Sequence, residues 1–375
     1  MSTRFDLLIP QYIQNLPVYV PGKPIEEVER ELKIRAIKLA SNENPLGPSP
    51  KAVEAMARVA HDSNRYPDGG AHELREKLAR LRGVRPEEIF IGLGSSEAID
   101  IVGRVLLREG LQGLTSEGTY APFVVSTRMN RGEPRTVPLK NYGYDLDALA
   151  NAITPATRVI FLANPNNPTG TAFGAAEFKK FLQRVPEEIC VVLDEAYFHY
   201  AVREDMPQSK ELFHEHSNLL TLRTFSKVFG LAGVRIGYAV GNETLVTAMN
   251  KFRTPFNVSG MAQAAAIAAL DDKQHEERCV RENARERAKL IAGLRELGLE
   301  PVPSETNFVF VDLGIPAGSI CDALLQRGVI VRPLGWMGLP KAIRISVGTA
   351  EENDKCLEEI PRVIAEVPAK VPTRA

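Results

Sequence analysis

A lysine set among apolar residues and glycines is an unusual place for a positive charge. This chain has one in Thr224-Phe225-Ser226-Lys227-Val228-Phe229-Gly230-Leu231-Ala232-Gly233-Val234-Arg235. Burial lowers the pKa of such a lysine and leaves a neutral amine able to attack a carbonyl. Thr224, Ser226 and Arg235 supply hydroxyls and a guanidinium suited to a phosphate. A second cluster, Asp194-Glu195-Ala196-Tyr197, follows the apolar run Ile189 to Leu193. A carboxylate ending a buried strand is costly unless it meets a cation or hydrogen-bond donors. Asp194 is therefore either the partner of a cation, such as a protonated ring nitrogen, or a plain helix N-cap. A third, Asn164-Pro165-Asn166-Asn167-Pro168-Thr169-Gly170, consists of turn formers but also fixes amide side chains at a strand's carboxyl end. The fourth, Gly92-Leu93-Gly94-Ser95-Ser96-Glu97, opens a helical pattern. Helix N-termini with small residues admit anions. An ordinary strand–helix turn has the same residues, so this signal is weak alone. Glu97 occupies the place of a third glycine, which rules out a dinucleotide fingerprint, and no P-loop motif occurs.

The clusters say more together. An anion turn, an acid for a ring nitrogen, an amide and a phenol for a ring oxygen, and a lysine suggest pyridoxal 5′-phosphate (PLP). In this order, GSSE, NPNNPTG, DEAY and TFSK with the following Arg235 resemble the fold-type I PLP-dependent aminotransferases of class II. More narrowly, the chain resembles the histidinol-phosphate aminotransferases. YVPGKPIEEV from Tyr19, NENPLGPSP from Asn42, RYPDG from Arg65, KFRTPFNVS from Lys251 and RISVGT from Arg344 carry that narrower likeness. It extends from about Tyr19 to about Pro361.

The resemblance implies a set of roles. Lys227 would hold the cofactor covalently and shuttle a proton at the substrate carbon. Asp194 would keep the pyridine nitrogen protonated, and Asn167 and Tyr197 would bond the ring's 3-oxygen. The phosphate would rest on the N–H groups of Ser95 and Ser96, on Thr224 and Ser226, and on Arg235. Tyr66 would reach the phosphate of a neighbouring subunit, implying a homodimer with shared active sites. Tyr120 would stack on the ring, with Phe123 as the alternative. The chain departs from the family here, having Glu117-Gly118 where a proline usually precedes the Thr-Tyr pair. Arg332, Arg344 and Tyr19 would bind substrate, forked guanidinium groups accepting either a phosphate or a carboxylate. The implied reaction moves the amino group of L-histidinol phosphate to 2-oxoglutarate, giving imidazole-acetol phosphate and glutamate in histidine biosynthesis. The rivals are an aromatic amino-acid aminotransferase, a decarboxylase resembling threonine-phosphate decarboxylase, and a non-enzymatic regulator.

These residues need a frame. From about Glu88 to Val240, strand-like runs alternate with helical patterns. Ile89 to Ile91, Arg158 to Ala163, Ile189 to Leu193, Leu219 to Leu222 and Val234 to Val240 read as strands, several apolar throughout as in sheets buried on both faces. This predicts an α/β fold with a mostly parallel sheet flanked by helices, and ligands at the strands' carboxyl ends. After Leu270 a charged amphipathic helix (Gln274 to Leu297) precedes strand-like Phe308 to Val311, Val329 to Arg332 and Ile343 to Val347. Helices are expected at Ala323 to Gln326 and Glu351 to Ala365, making a small α+β domain. The expected organisation is 46–270 as the large PLP-binding domain, with 1–45 and 271–375 forming an N-terminal arm, carrying one helix at Ile25 to Leu32, and the small domain.

Composition narrows the classes. The 375 residues are 44% hydrophobic and 25% charged, enough for an ample core without disulfide or metal staples. A net charge of −1 lacks the basic excess of a nucleic-acid binder. Cys190, Cys279, Cys321 and Cys356 form no C-x-x-C pair, so a thiolate zinc site is not expected and a reducing compartment is. Thr254 to Leu270 is too short and polar to span a bilayer, and Met1 to Pro10 lacks a signal-peptide core. A cytoplasmic protein without metal, nucleic-acid or membrane partners is the expectation.

Overall fold

The apolar runs pair side by side. In the computed structural model, which describes residues 5, 7–16, 18 and 22–366, they form the centre of a seven-stranded sheet. Its strands are β1 (Ile89–Gly92), β2 (Gln112–Ser116), β3 (Glu133–Val137), β4 (Thr157–Ala163), β5 (Cys190–Asp194), β6 (Leu219–Thr224) and β7 (Gly237–Val240). The spatial order is β1-β7-β6-β5-β4-β2-β3. Only β7 runs against its neighbours; every other pairing in this sheet is parallel. Alternate residues of β4 and β5 enter different cores. Phe161 and Val192 pack with Val102 on one face, while Ile160, Leu162 and Val191 pack with Phe178 on the other. Burial on both faces explains why these strands show no polar alternation.

A second sheet contains β8 (Pro301–Val302), β9 (Phe308–Asp312), β10 (Arg332–Leu334) and β11 (Leu339–Ser346), in the antiparallel order β10-β11-β9-β8. Helices Lys273–Glu296, Ala317–Gln326 and Ala350–Glu366 supply its core partners, Leu290, Leu324 and Ile360 among them. Helix Lys273–Glu296 has 24 residues and so spans about 36 Å. Its Cys279 joins the cluster around Tyr197 and Phe225, and its Leu290 and Leu294 join the small-sheet core. Leu39, just ahead of the NENPLGPSP segment, also packs into that second core.

The expected helices at Ile25–Leu32 and over the charged stretch after Leu270 are present. Three readings need correction. The segment expected as one strand from Val234 instead makes a 3₁₀ turn over Ala232–Val234 and a left-handed Arg235 (φ 58°) before β7 begins at Gly237. The run Val329 to Arg332, expected as one strand of the small domain, divides: Val329–Ile330 pairs in parallel with Ile37–Lys38, and Arg332 begins β10. Finally, the Pro-rich N-terminal segment, expected with one helix, has a short helix Gln11–Gln14 ahead of Ile25–Leu32 and ends in a third, Pro50–Val59, capped by the Ser49 side chain.

Candidate active site

Parallel register brings the key residues to one edge. Asp194 closes β5 opposite Ala163 of β4, with the Asn164–Gly170 loop beginning next door. Thr224 closes β6, and Lys227 lies in the turn that follows. A cleft of about 1530 Å³ opens there. Ser95, Ser96, Tyr120, Asn167, Asp194, Tyr197, Thr224, Ser226, Lys227 and Arg235 all line it, and so do Arg332 and Arg344 from the small sheet. Tyr66 does not; it stands 81% exposed, stacked on Phe256 at 4.6 Å. Tyr19 lies outside the described residues.

At one end of the cleft, helix Ser95–Leu106 begins at Gly94 without a side-chain cap. Its first N–H groups are thus left for water or a ligand. Glu97 turns back to accept from Leu93 N (2.7 Å) and from Asn257 Nδ2 (2.9 Å), so the residue in the third-glycine position braces the turn. Arg235 donates to Leu93 O at 2.9 Å and to Ser226 Oγ at 3.3 Å, and Thr224 Oγ1 donates to Ser226 Oγ at 3.0 Å. Gly94 has φ +105°, and a Cβ there would stand 3.2 Å from Arg235 Nη2. A helix N-terminus, two hydroxyls and a guanidinium converge around that bare backbone, which fits a phosphate.

Asp194 is only 4% exposed. It accepts from Ala196 N at 3.0 Å and from the Ser95 hydroxyl, but it caps no helix: the 3₁₀ turn that follows, Phe198–Tyr200, has Tyr197 in the N-cap position. Burial dominates and pushes its carboxyl up to about 7, against the lesser opposing effects of Ala196, Ser95 and Lys227. Among the described residues no cation stands within ion-pair distance of it. A cationic ring nitrogen is the kind of group such a carboxyl lacks. Neighbouring Glu195 is engaged elsewhere, with Arg223 at 2.9 Å and Arg82 at 3.7 Å.

Lys227 donates to Asn42 O at 3.2 Å, and its ammonium lies 5.3 Å from the Tyr197 ring centroid. Burial first and the Arg344 charge second lower its pKa to about 8, within reach of the neutral amine. Burial raises the Tyr197 phenol, which therefore keeps its proton. Tyr120 bonds Ser96 Oγ at 2.9 Å on the cleft wall, whereas Phe123 is fully buried and stacks on Phe161 at 5.2 Å. Of the two aromatics considered, Tyr120 is thus the one that lines the cleft.

Arg332 and Arg344 face each other across β10 and β11. Arg344, 7% exposed, donates to Asn167 Oδ1 (2.6 Å) and Ala40 O (2.9 Å). Arg332 lies 5.1 Å from the Trp336 ring. Both line the cleft, so two guanidinium groups are presented on one wall of it. Asn42 is a residue that the sequence reading did not single out. It contacts both Lys227 and Tyr197, and its amide nitrogen donates to the Tyr197 oxygen at 2.9 Å. Its position in NENPLGPSP gave no chemical hint, because the contacts come from elements far away in sequence. His199 stays outside the cleft, against Phe229 and 3.7 Å from Glu276.

The model of the family "Aminotransferase class I and II" matches residues 34–360. Histidinol-phosphate aminotransferase 2 of Pseudomonas aeruginosa is 46% identical over 94% of this chain and 96% of its own length. Histidinol-phosphate aminotransferase of Halalkalibacterium halodurans is 42% identical over 95% and 97%. Among solved structures, histidinol-phosphate aminotransferase from Sinorhizobium meliloti in complex with pyridoxal 5′-phosphate superposes with a TM-score of 0.88. It is 34% identical, covering 96% of this chain and 98% of that one. Aspartate aminotransferase from Thermus thermophilus with maleate gives 0.82 at 25% identity, covering 95% and 99%.

Proposed function

The chain belongs to the class I and II aminotransferases and, within them, to the histidinol-phosphate aminotransferases, and from this premise we propose a transamination between L-histidinol phosphate and 2-oxoglutarate. The products are imidazole-acetol phosphate and glutamate, in histidine biosynthesis, with PLP as cofactor. The observation that carries the reading is the facing pair Arg332 and Arg344 on the wall of the cleft that holds Lys227 and Asp194. One substrate carries a phosphate and the other two carboxylates, and forked guanidinium groups accept both.

PLP, when bound, supplies an electron-withdrawing ring conjugated to the carbon that bears the substrate's amine. The protein's own part is positional and acid–base. Lys227 anchors the cofactor and moves the proton at that carbon. Asp194 keeps a proton on the ring nitrogen, and Asn167 and Tyr197 hold the 3-oxygen. Thr224, Ser226, Arg235 and the N–H groups of Ser95 and Ser96 hold the phosphate, with Tyr120 against the ring face. Residues 46–270 act as the cofactor-binding unit, and 1–45 with 271–375 as the unit presenting the arginines. Tyr19 belongs to the same reading as a substrate contact. Four unpaired buried cysteines support a cytoplasmic setting. Among the described residues no helix is long and apolar enough to cross a membrane.

The test is spectroscopic. Histidinol phosphate alone should discharge the long-wavelength band of the PLP-loaded protein, and 2-oxoglutarate should restore it. Discharge by phenylalanine or tyrosine only would transfer the assignment to an aromatic aminotransferase, and release of CO₂ would transfer it to a decarboxylase.

The same reading makes the active unit a homodimer in which Tyr66 serves the partner's phosphate site. Its exposure on this subunit and its absence from its own cleft support that. Tyr66→Phe should weaken PLP binding about tenfold, as loss of one hydrogen bond to a charged group does. Equilibrium dialysis measures this, and a fully active monomer in sedimentation would refute the shared site.

A further inference from the structure

We propose that Asn42, locked by Ser346, is a positioning residue that sets the direction of the Tyr197 hydrogen bond, so that the phenol donates into the cleft. The proposal rests on the PLP reading above for the identity of the acceptor, the ring's 3-oxygen.

Asn42 is 1% exposed. Its backbone N–H donates to Ser346 Oγ at 2.8 Å, and the Ser346 hydroxyl donates to Asn42 Oδ1 at 3.0 Å. That leaves Nδ2 for the Tyr197 oxygen, at 2.9 Å. In the reversed amide, Oδ1 would face Tyr197 and capture its proton. Nδ2 would then donate to the Ser346 oxygen beside the backbone N–H, filling both of its lone pairs. The hydroxyl hydrogen of Ser346, in a residue 3% exposed, would lose its acceptor. Buried donors are seldom left so, because an unsatisfied one keeps the full desolvation penalty. Ser346 therefore selects the orientation in which Tyr197 accepts from Asn42. A phenol oxygen that already accepts must direct its hydrogen elsewhere, and Tyr197 lines the cleft. The Asn42 carbonyl meanwhile takes bonds from Lys227 Nζ (3.2 Å) and Asn307 Nδ2 (3.0 Å), so this residue touches both groups that act on the cofactor.

The backbone at Asn42 is left-handed, φ 55°. Gly and Asp also accept that conformation, which makes two informative variants available. Asn42→Gly removes the amide and leaves the direction of the phenol hydrogen unset, without offering it a competing acceptor. Asn42→Asp puts a carboxylate beside the phenol and draws its proton away. The charged groups facing Tyr197, namely Asp194, Lys227 and Arg344, are unchanged in both.

The readout is the pH titration of the long-wavelength band of the PLP-loaded proteins. A donor to the 3-oxygen stabilises its anionic form and keeps the midpoint low. Asn42→Asp should raise the midpoint by roughly one pH unit, tenfold in the proton equilibrium, and Asn42→Gly by much less. A purely structural role reverses that order, because glycine deletes every side-chain bond. In a Tyr197→Phe background the Asn42→Asp shift should shrink to what the added charge alone gives, which separates redirection of the phenol from that charge. Ser346→Ala should raise the midpoint and Ser346→Thr should restore it, a test independent of how Asn42→Asp folds. Equal midpoints in the parent and Ser346→Ala, a glycine shift as large as the aspartate shift, or an aspartate shift undiminished in Tyr197→Phe would overturn the proposal. Absence of the band in the parent protein would instead sink the PLP reading beneath it.

Discussion

Lys227→Ala lowers the rate of the first half-reaction by at least ~10⁴-fold, the upper end of what a positioned acid–base group contributes, because among the described residues no other amine lines the cleft. The variant should still take up PLP without covalent attachment. The phosphate cradle of Thr224, Ser226, Arg235 and the helix Ser95–Leu106 does not depend on the lysine, and neither does Asp194. Lys227→Arg is expected to fail equally, since a guanidinium keeps its charge at any working pH and cannot take up a proton. In the unliganded protein the Lys227 pKa is lowered from 10.5 to about 8, first by burial and next by Arg344. The neutral amine thus predominates above about pH 8 and declines tenfold per unit below it. Stopped-flow mixing of the loaded variant with histidinol phosphate measures the loss, and a near-parental rate would end the assignment of Lys227.

Much of this site was legible because a parallel sheet converts local sequence into spatial proximity. Each chemistry-bearing cluster follows an apolar run, and in β4, β5 and β6 those runs lie side by side in register. The sequence alone therefore puts Asp194 and Thr224 at one edge. The strands β2 and β3 were not individually visible. Gln112–Ser116 has Leu114 as its one large apolar residue, and Glu133–Val137 is an exposed edge strand containing Pro134, where pairing with a neighbour outweighs propensity. The Arg235 turn reads as strand because Val234 and Ile236 look β-like. A left-handed residue between them has no apolar signature. Contacts across long separations were also hidden. Asn42 and Ser346 stand 304 residues apart, and the facing of Arg332 and Arg344 depends on a hairpin register that includes an irregularity at Pro333/Leu334. Residue types alone fix none of these.

Asp194→Asn should separate the needs of the reaction from those of the fold. With PLP saturating, turnover is expected to fall about 10²–10³-fold, the scale of losing one preorganised electrostatic partner. The amide cannot hold a proton on the ring nitrogen by charge. The unliganded variant should nevertheless be more heat-stable than its parent near pH 8. The sign follows from the raised carboxyl. Its pKa is 3.8 in the ordinary state and about 7 in the folded chain, chiefly through burial. Between those values the folded state holds a proton that the unfolded state has lost, so the parent loses stability as pH rises from about 4 to 7. Asparagine carries no such dependence, and its advantage should grow across that window, level off above it and vanish near pH 4. Differential scanning calorimetry of the two unliganded proteins reads this directly. A variant that keeps parental turnover would remove the carboxylate from the reaction. A stability difference that stays flat with pH would mean that Asp194 is not the strained buried acid on which the PLP fit depends.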